Sequence, residues 1–263
     1  MDYVCLHDKK EIESYFRKDV FRHVYSIGDL DDFFWPYTTW YGLKSNGSIA
    51  AIALIYIRLS FPTLLAFSNE QDDAMAKLLD SIRHLLPNRF YAHLSPGLAN
   101  VFDETHNFEL HGKHYKMALV DKTLTSGRDF SDVEHLSMKD LNPIQVLYKE
   151  SYPGTWFDPR MLETNQYFGI RAGGRLVSIA GIHVYSPQYK VAALGNITTL
   201  PSHRGKGYGT RVTARLCQSL IDEGMDVGLN VKTDNTAAIS CYRKIGFETV
   251  ASFEEFTVQR KKN

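Results

Sequence analysis

The stretch Leu200-Pro201-Ser202-His203-Arg204-Gly205-Lys206-Gly207-Tyr208-Gly209-Thr210 decides how this chain is read. Before it lies Val191 to Leu200, an apolar run with strand character. After it, Val212, Leu216, Cys217, Leu220 and Ile221 recur at helical spacing. A strand, a glycine-rich turn and an amphipathic helix are therefore expected in that order. Glycines let backbone N–H groups approach a ligand closely, and the positive end of the following helix favours an anion. Arg204 and Lys206 add charge, so the turn suits a pyrophosphate. The spacing is GxGxG. A P-loop needs Gly, four residues, then Gly-Lys-Ser/Thr, and a dinucleotide fingerprint needs GxGxxG, so neither is present. Alone, such a turn is as often a plain loop as a ligand site.

Downstream, Val227, Leu229 and Val231 alternate as a strand, and Gly224 closes the helix before it. Asp234 or Thr233 would then cap a short helix with Ala238, Cys241, Tyr242 and Ile245 on one face. Upstream, Val133 to Leu136 reads as a strand and Lys139 to Ser151 as a helix. Tyr167 to Ala172 and Leu176 to Tyr185 form a hairpin across Gly173-Gly174. Phe247 to Val258 ends the pattern as two short strand pieces.

Within that frame, Arg204-x-x-Gly207-x-Gly209 resembles the acyl-CoA pyrophosphate loop of the GNAT N-acetyltransferases. Asn235-x-x-Ala238-Ile239-x-x-Tyr242-x-Lys244-x-Gly246-Phe247 resembles the second signature of the same superfamily. The resemblance covers about Val133 to Val258 and is closest in flavour to the glycine N-acyltransferase-like branch. It implies that backbone groups of Ile197, Thr198 and Thr199 pair with a pantetheine arm. Backbone amides of Arg204, Gly205, Lys206, Gly207, Tyr208, Gly209 and Thr210 would hold the pyrophosphate. Asn235 would hydrogen-bond the cofactor arm, and Tyr242 would protonate the departing thiolate. Trp156 and Phe157, in the segment Tyr152 to Phe157, are the implied acceptor contacts. The implied reaction moves an acetyl or other short acyl group from acyl-CoA to a primary amine of a small molecule or amino acid.

The residues themselves leave blander readings open. Tyr242 could be a core tyrosine, Asn235 a helix cap, and Trp156 and Phe157 packing under a loop. Val191 to Leu200 contains no Asp or Glu, so the fourth-strand carboxylate base of many GNAT members is lacking. Asn196 or His183 could position a water, or the amine could arrive deprotonated. A non-catalytic acyl-CoA sensor and a protein lysine acetyltransferase are the rival functions.

The chain has 263 residues, enough for one large domain or two. Thirty basic side chains balance thirty acidic ones. That neutrality argues against a general nucleic-acid binder. Three scattered cysteines without a CxxC pair read as reduced thiols, and the opening residues carry no signal-peptide pattern, so a cytoplasmic protein is expected. Ile49 to Leu59 is too short to span a membrane. His111-x-x-His114 lacks a third ligand at a recognisable distance, so no metal is expected.

The first half gives a helix over Asp8 to Lys18 and a hairpin of Thr38 to Leu43 with Ile49 onward. Further on come a strand at Thr63 to Phe67, a helix over Asp72 to Leu86, and strands at Arg89 to Leu94 and Tyr115 to Val120. Asp121 to Asp132 is a polar linker. The cluster Phe33-Phe34-Trp35-Pro36-Tyr37 is expected in the core. The expected fold is α/β (α+β): two GNAT-like domains, 1–122 and 131–263, each a mixed, mostly antiparallel sheet flanked by helices. The N-terminal copy is read as degenerate, because Leu65 to Asp73 has no glycine and carries Glu70, Asp72 and Asp73 where a phosphate loop would lie.

Overall fold

A computed structural model describes residues 1–58, 61–68 and 73–262. Strand β1 (Asp2–Leu6) leads into α1 (Lys9–Phe16), whose cap is Asp8. The Asp8 carboxylate accepts from the N–H groups of Lys10 and Glu11 at 2.9 and 3.3 Å. A second helix, α2 (Val20–Gly28), follows a 3₁₀ turn and is capped in the same way by Asp19. The sequence predicts one helix here and neither β1 nor α2, because Arg17-Lys18-Asp19 looks like a helix end. Asp19 ends one helix and restarts the next.

Then come β2 (Thr38–Ser45), β3 (Ser48–Tyr56), β4 (Thr63–Ala66), α3 (Ala74–Ile82), β5 (Arg89–Leu94) and β6 (His106–Leu119). Asn46 and Gly47 join β2 to β3 with φ of 51° and 78°, the two positive φ values of a type I′ hairpin turn. Helix α3 buries Met75, Leu78, Leu79 and Ile82, as its spacing implies. It stops earlier than expected, in a 3₁₀ turn over Arg83–Leu85, and Leu85 is exposed. Phe34 is buried but Phe33 is exposed, so the aromatic cluster is only partly core.

The remaining elements are β7 (Glu134–His135), α4 (Leu141–Ser151), β8 (Phe168–Ala172), β9 (Arg175–Ser186), β10 (Val191–Thr199), α5 (Tyr208–Asp222), β11 (Asp226–Lys232), α6 (Thr236–Arg243) and β12 (Phe247–Arg260). Within the linker, Lys122–Thr125 forms a 3₁₀ turn.

These elements gather into two compact units: Met1–Lys116 with Val250–Asn263, and Met117–Thr249. The sheet of the first runs β1-β2-β3-β4-β5-β12-β6. Its β1 to β4 pair antiparallel, and β4 pairs parallel with β5. In the second unit the order is β7-β8-β9-β10-β11, antiparallel until the parallel pair β10/β11. A helix connects each parallel pair, α3 in one unit and α5 in the other. Gly173 and Gly174, at φ of 57° and 79°, repeat the tight hairpin turn. One pattern is therefore built twice, each time as a mixed, mostly antiparallel sheet with helices.

The last strand departs from the sequence reading. It is one strand of 14 residues, not two pieces. From Val250 onward it lies with the first unit. Glu254 to Gln259 pair antiparallel with Leu94 to Arg89. Phe256 and Val258 join Phe90, Ala92 and Leu94 in one apolar cluster. Among the described residues no helix is long and apolar enough to cross a membrane. No group of three or more His, Cys, Asp or Glu among them could hold a metal. His111 bonds Thr257 at 2.7 Å, and His114 faces Glu255. Residues 69–72 of the acidic run Leu65 to Asp73 lie outside the described residues.

Candidate functional site

In the second unit, the parallel register of β10 and β11 runs from Val191↔Asp226 to Leu194↔Leu229 and then ends, although both strands continue. The cause is visible in β10 itself. Its pairing with β9 shifts between Gly195 and Thr198, so Asn196 and Ile197 drop out of register. Asn196 has φ of 56°, in the left-handed region, as the extra residues of a bulge often do. A bulge bends its strand, and beyond it β10 leaves the edge of β11 unpaired. Thr198 and Thr199 resume pairing with β9, opposite Ile179 and Ser178.

The glycine-rich turn follows directly. Gly205 and Gly207 have φ of 78° and 76°, conformations that favour glycine. Nothing lies within 4 Å of the position a Cβ would take on Gly205, and only an Arg211 Nη1 at 3.6 Å lies near that on Gly207. The space in front of the turn is thus open. Gly207 is the residue before α5, and no side chain caps that helix. The first N–H groups of α5 are left for an outside acceptor. Gly209 abuts the end of β10, since a Cβ there would lie 3.4 Å from Thr199 Oγ1. Arg204 Nε donates to the Thr199 carbonyl at 3.3 Å. The end of β10 at Thr199 is thus joined to the turn at Arg204 and Gly209. Arg211, which the sequence reading passed over, is paired with Asp132 at 2.7 Å and stacks its guanidinium 5.0 Å from the Tyr208 ring centroid.

Helix α6 stands beside this turn, with Cys241 Sγ 3.3 Å from Thr210 Oγ1. Its cap is Asn235, not Thr233 or Asp234: the Asn235 side chain accepts from the Ala238 N–H at 3.2 Å. Tyr242 is buried on the apolar face and lies 6.0 Å from Phe247, ring to ring. Gly246 has a packing reason. At φ of 102° its carbonyl accepts from the N–H groups of Val120 and Asp121, and a Cβ would overlap the Asp121 carbonyl.

Between α4 and β8, Trp156 and Phe157 separate. Trp156 is exposed and meets the His183 ring edge to face at 5.9 Å. Phe157 packs between Tyr148 and Tyr167, at 5.2 and 5.9 Å. Those two tyrosines, with Thr155, surround Asn196 in a buried polar network. Burial pushes both phenol pKa values up. The sequence offers Asn196 and His183 as water-positioning groups or as ordinary structural polar residues; their partners come from distant segments.

Residues 132–247 match the family model described as "Acetyltransferase (GNAT) family". The chain carries a GNAT domain. Over 92 residues it is 39% identical to the N-alpha-acetyltransferase RimI of Mycobacterium tuberculosis, covering 33% of this chain and 54% of that protein. The match thus spans about half the length of that relative. Among solved structures, a tandem GNAT protein from the clavulanic acid biosynthesis pathway is 15% identical with a TM-score of 0.58, over 100% of this chain and 99% of the other. A Drosophila protein is 12% identical with a TM-score of 0.72, over 97% and 98%. At those identities the likeness is one of fold. It reaches beyond the GNAT domain to the whole chain, in keeping with the strand order repeated in both units.

Proposed function

We propose that the GNAT domain transfers an acetyl or other short acyl group from acyl-CoA to the primary amine of a small molecule or amino acid. The observation that carries this is the junction of the bulged β10 with the uncapped, glycine-lined start of α5. It offers an unpaired strand edge and an anion-binding helix terminus side by side. Bound acyl-CoA would supply a thioester carbonyl there. The amides from Arg204 to Thr210 hold its pyrophosphate, the edge at Ile197 to Thr199 aligns its arm, and Asn235 adds a hydrogen bond from the start of α6. The Tyr242 hydroxyl delivers a proton to the leaving thiolate, and Trp156 with Phe157 shapes the acceptor side. Cys5, Cys217 and Cys241 are free thiols, which suits a reducing, cytoplasmic setting.

A second reading, transfer to a peptide N-terminal α-amine, is favoured by the match to an enzyme named as an N-alpha-acetyltransferase. Thiol release from acetyl-CoA and longer acyl-CoAs, measured with free amines and with short peptides, separates the two. Binding of acetyl-CoA without thiol release from any acceptor would instead mark a sensor.

A further inference from the structure

The network around Asn196 fixes which nitrogen of His183 carries its proton. The backbone carbonyl of Ile182 can only accept. Tyr167 donates its hydroxyl hydrogen to the Ile182 carbonyl at 3.0 Å. Its oxygen must then accept from Asn196, so the Asn196 atom 3.0 Å away is Nδ2. That orients the amide and turns Oδ1 toward Thr155 Oγ1 at 3.0 Å and His183 Nε2 at 3.3 Å. An amide oxygen accepts only, so Nε2 carries hydrogen. A neutral imidazole has one N–H, which leaves Nδ1 as a bare lone pair.

Burial lowers the His183 pKa below the usual histidine value, and the Asn196 bond only partly opposes it. The ring is therefore neutral at pH 7. The groups packed on the network add no charge: Tyr148 from α4 and Tyr167 before β8 are held neutral by burial. Asp158, which acts on Tyr167, is paired with Arg160 at 2.5 Å. The His183 ring lies over the Cα of Gly195, immediately before the bulge, and Trp156 borders it. Nδ1 makes no hydrogen bond among the described residues.

We propose that Nδ1 of His183 is the base that receives the proton of the attacking amine, with Asn196 and Tyr167 as positioning residues. This rests on the acyl-transfer reading above. As the amine nitrogen bonds to the acyl carbon and the carbon–sulfur bond breaks, the nitrogen sheds a proton to Nδ1. Tyr242 gives its proton to the sulfur, and solvent returns the proton from His183 to Tyr242, so the cycle balances. The position explains how β10 can lack a carboxylate: the neighbouring strand β9 supplies the base instead.

Two measurements test it. Nitrogen-15 NMR of the whole chain should show His183 as the Nε2–H tautomer, titrating below the usual histidine range; an Nδ1–H tautomer overturns the proposal without any assay. His183→Gln should bind acetyl-CoA within about twofold of wild type by calorimetry. It should release thiol at least roughly 100-fold more slowly with a fixed panel of amino acids and short peptides. Asn196→Asp, which tolerates the left-handed conformation, should raise the His183 pKa in NMR and move the acid limb of the pH–rate profile upward by the same amount. Wild-type turnover in His183→Gln would overturn the base assignment alone. Failure of the wild-type chain to bind acetyl-CoA would sink the acyl-transfer reading and the base with it.

Discussion

The imidazole of His183 occupies the space that a Cβ on Gly195 would fill. Gly195 has ordinary strand geometry, so its lack of a side chain is explained by the ring and not by backbone strain. Gly195→Ala should push the ring off Asn196 and cost about 1–3 kcal/mol from overpacking. Thiol release should fall while acetyl-CoA affinity, set elsewhere on β10 and α5, changes little. Paired calorimetry and turnover assays would show it, and equal loss of both would mean that the whole site had collapsed.

Gly207 makes the opposite case. A side chain there meets open space, but φ of 76° is costly for any residue with a Cβ, and an aspartate adds a negative charge at the helix start. Gly207→Asp should abolish measurable acetyl-CoA binding at concentrations that saturate wild type. The same titration on wild type should give one acetyl-CoA per chain, because the sequence between β4 and α3 has no glycine and carries Glu70, Asp72 and Asp73. Undiminished affinity in the variant, or two equivalent sites, would contradict the placement of the loop.

What the sequence made legible was local. Asn46-Gly47 and Gly173-Gly174 announced their hairpins, because a type I′ turn demands positive φ from adjacent residues. The GxGxG turn announced the start of α5, where Gly205 and Gly207 both take positive φ. What it hid was non-local. Helix α2 was lost because Asp19 caps it from inside a polar turn, where composition looks the same as a helix end. The path of β12 was lost because its partner β5 lies far back in the chain, and no local pattern names a partner. Asn196 looked like an ordinary polar strand residue. Only the register shift, and the tyrosines from two other segments, reveal it as a hub.

Tyr242 stands on the apolar face of α6 in either role, so burial does not distinguish acid from core residue. Tyr242→Phe keeps the ring and its contact with Phe247. If the hydroxyl protonates the leaving thiolate, turnover should drop roughly 10²–10⁴-fold with acetyl-CoA affinity preserved. The loss should shrink for an acyl donor whose thiol is more acidic, since such a leaving group needs less help. Equal losses with both donors would assign the hydroxyl to packing.

The first unit offers a test of stability that is independent of acyl transfer. Asp29 follows the end of α2, where the helix dipole already disfavours a negative charge. It is 7% exposed, and burial pushes its pKa up to about 8. Across the window from the ordinary carboxylate value to about 8, the folded chain holds a proton that the unfolded chain has lost. Stability therefore falls as pH rises through that window, by at most about 1.4 kcal/mol per pH unit. Other buried groups titrate with the opposite sign: His23 and His93, lowered to about 3 and about 4, destabilise as pH falls, and Lys116, lowered to about 7, stabilises as pH rises beyond that. Comparing Asp29→Asn with wild type at each pH cancels those shared contributions. The variant should gain on wild type steadily from pH 5 to pH 8, at up to about 1.4 kcal/mol per unit, and the gap should level off above pH 8. Urea unfolding at closely spaced pH values measures this directly, and curves that stay parallel would mean that Asp29 is ionised in the folded chain.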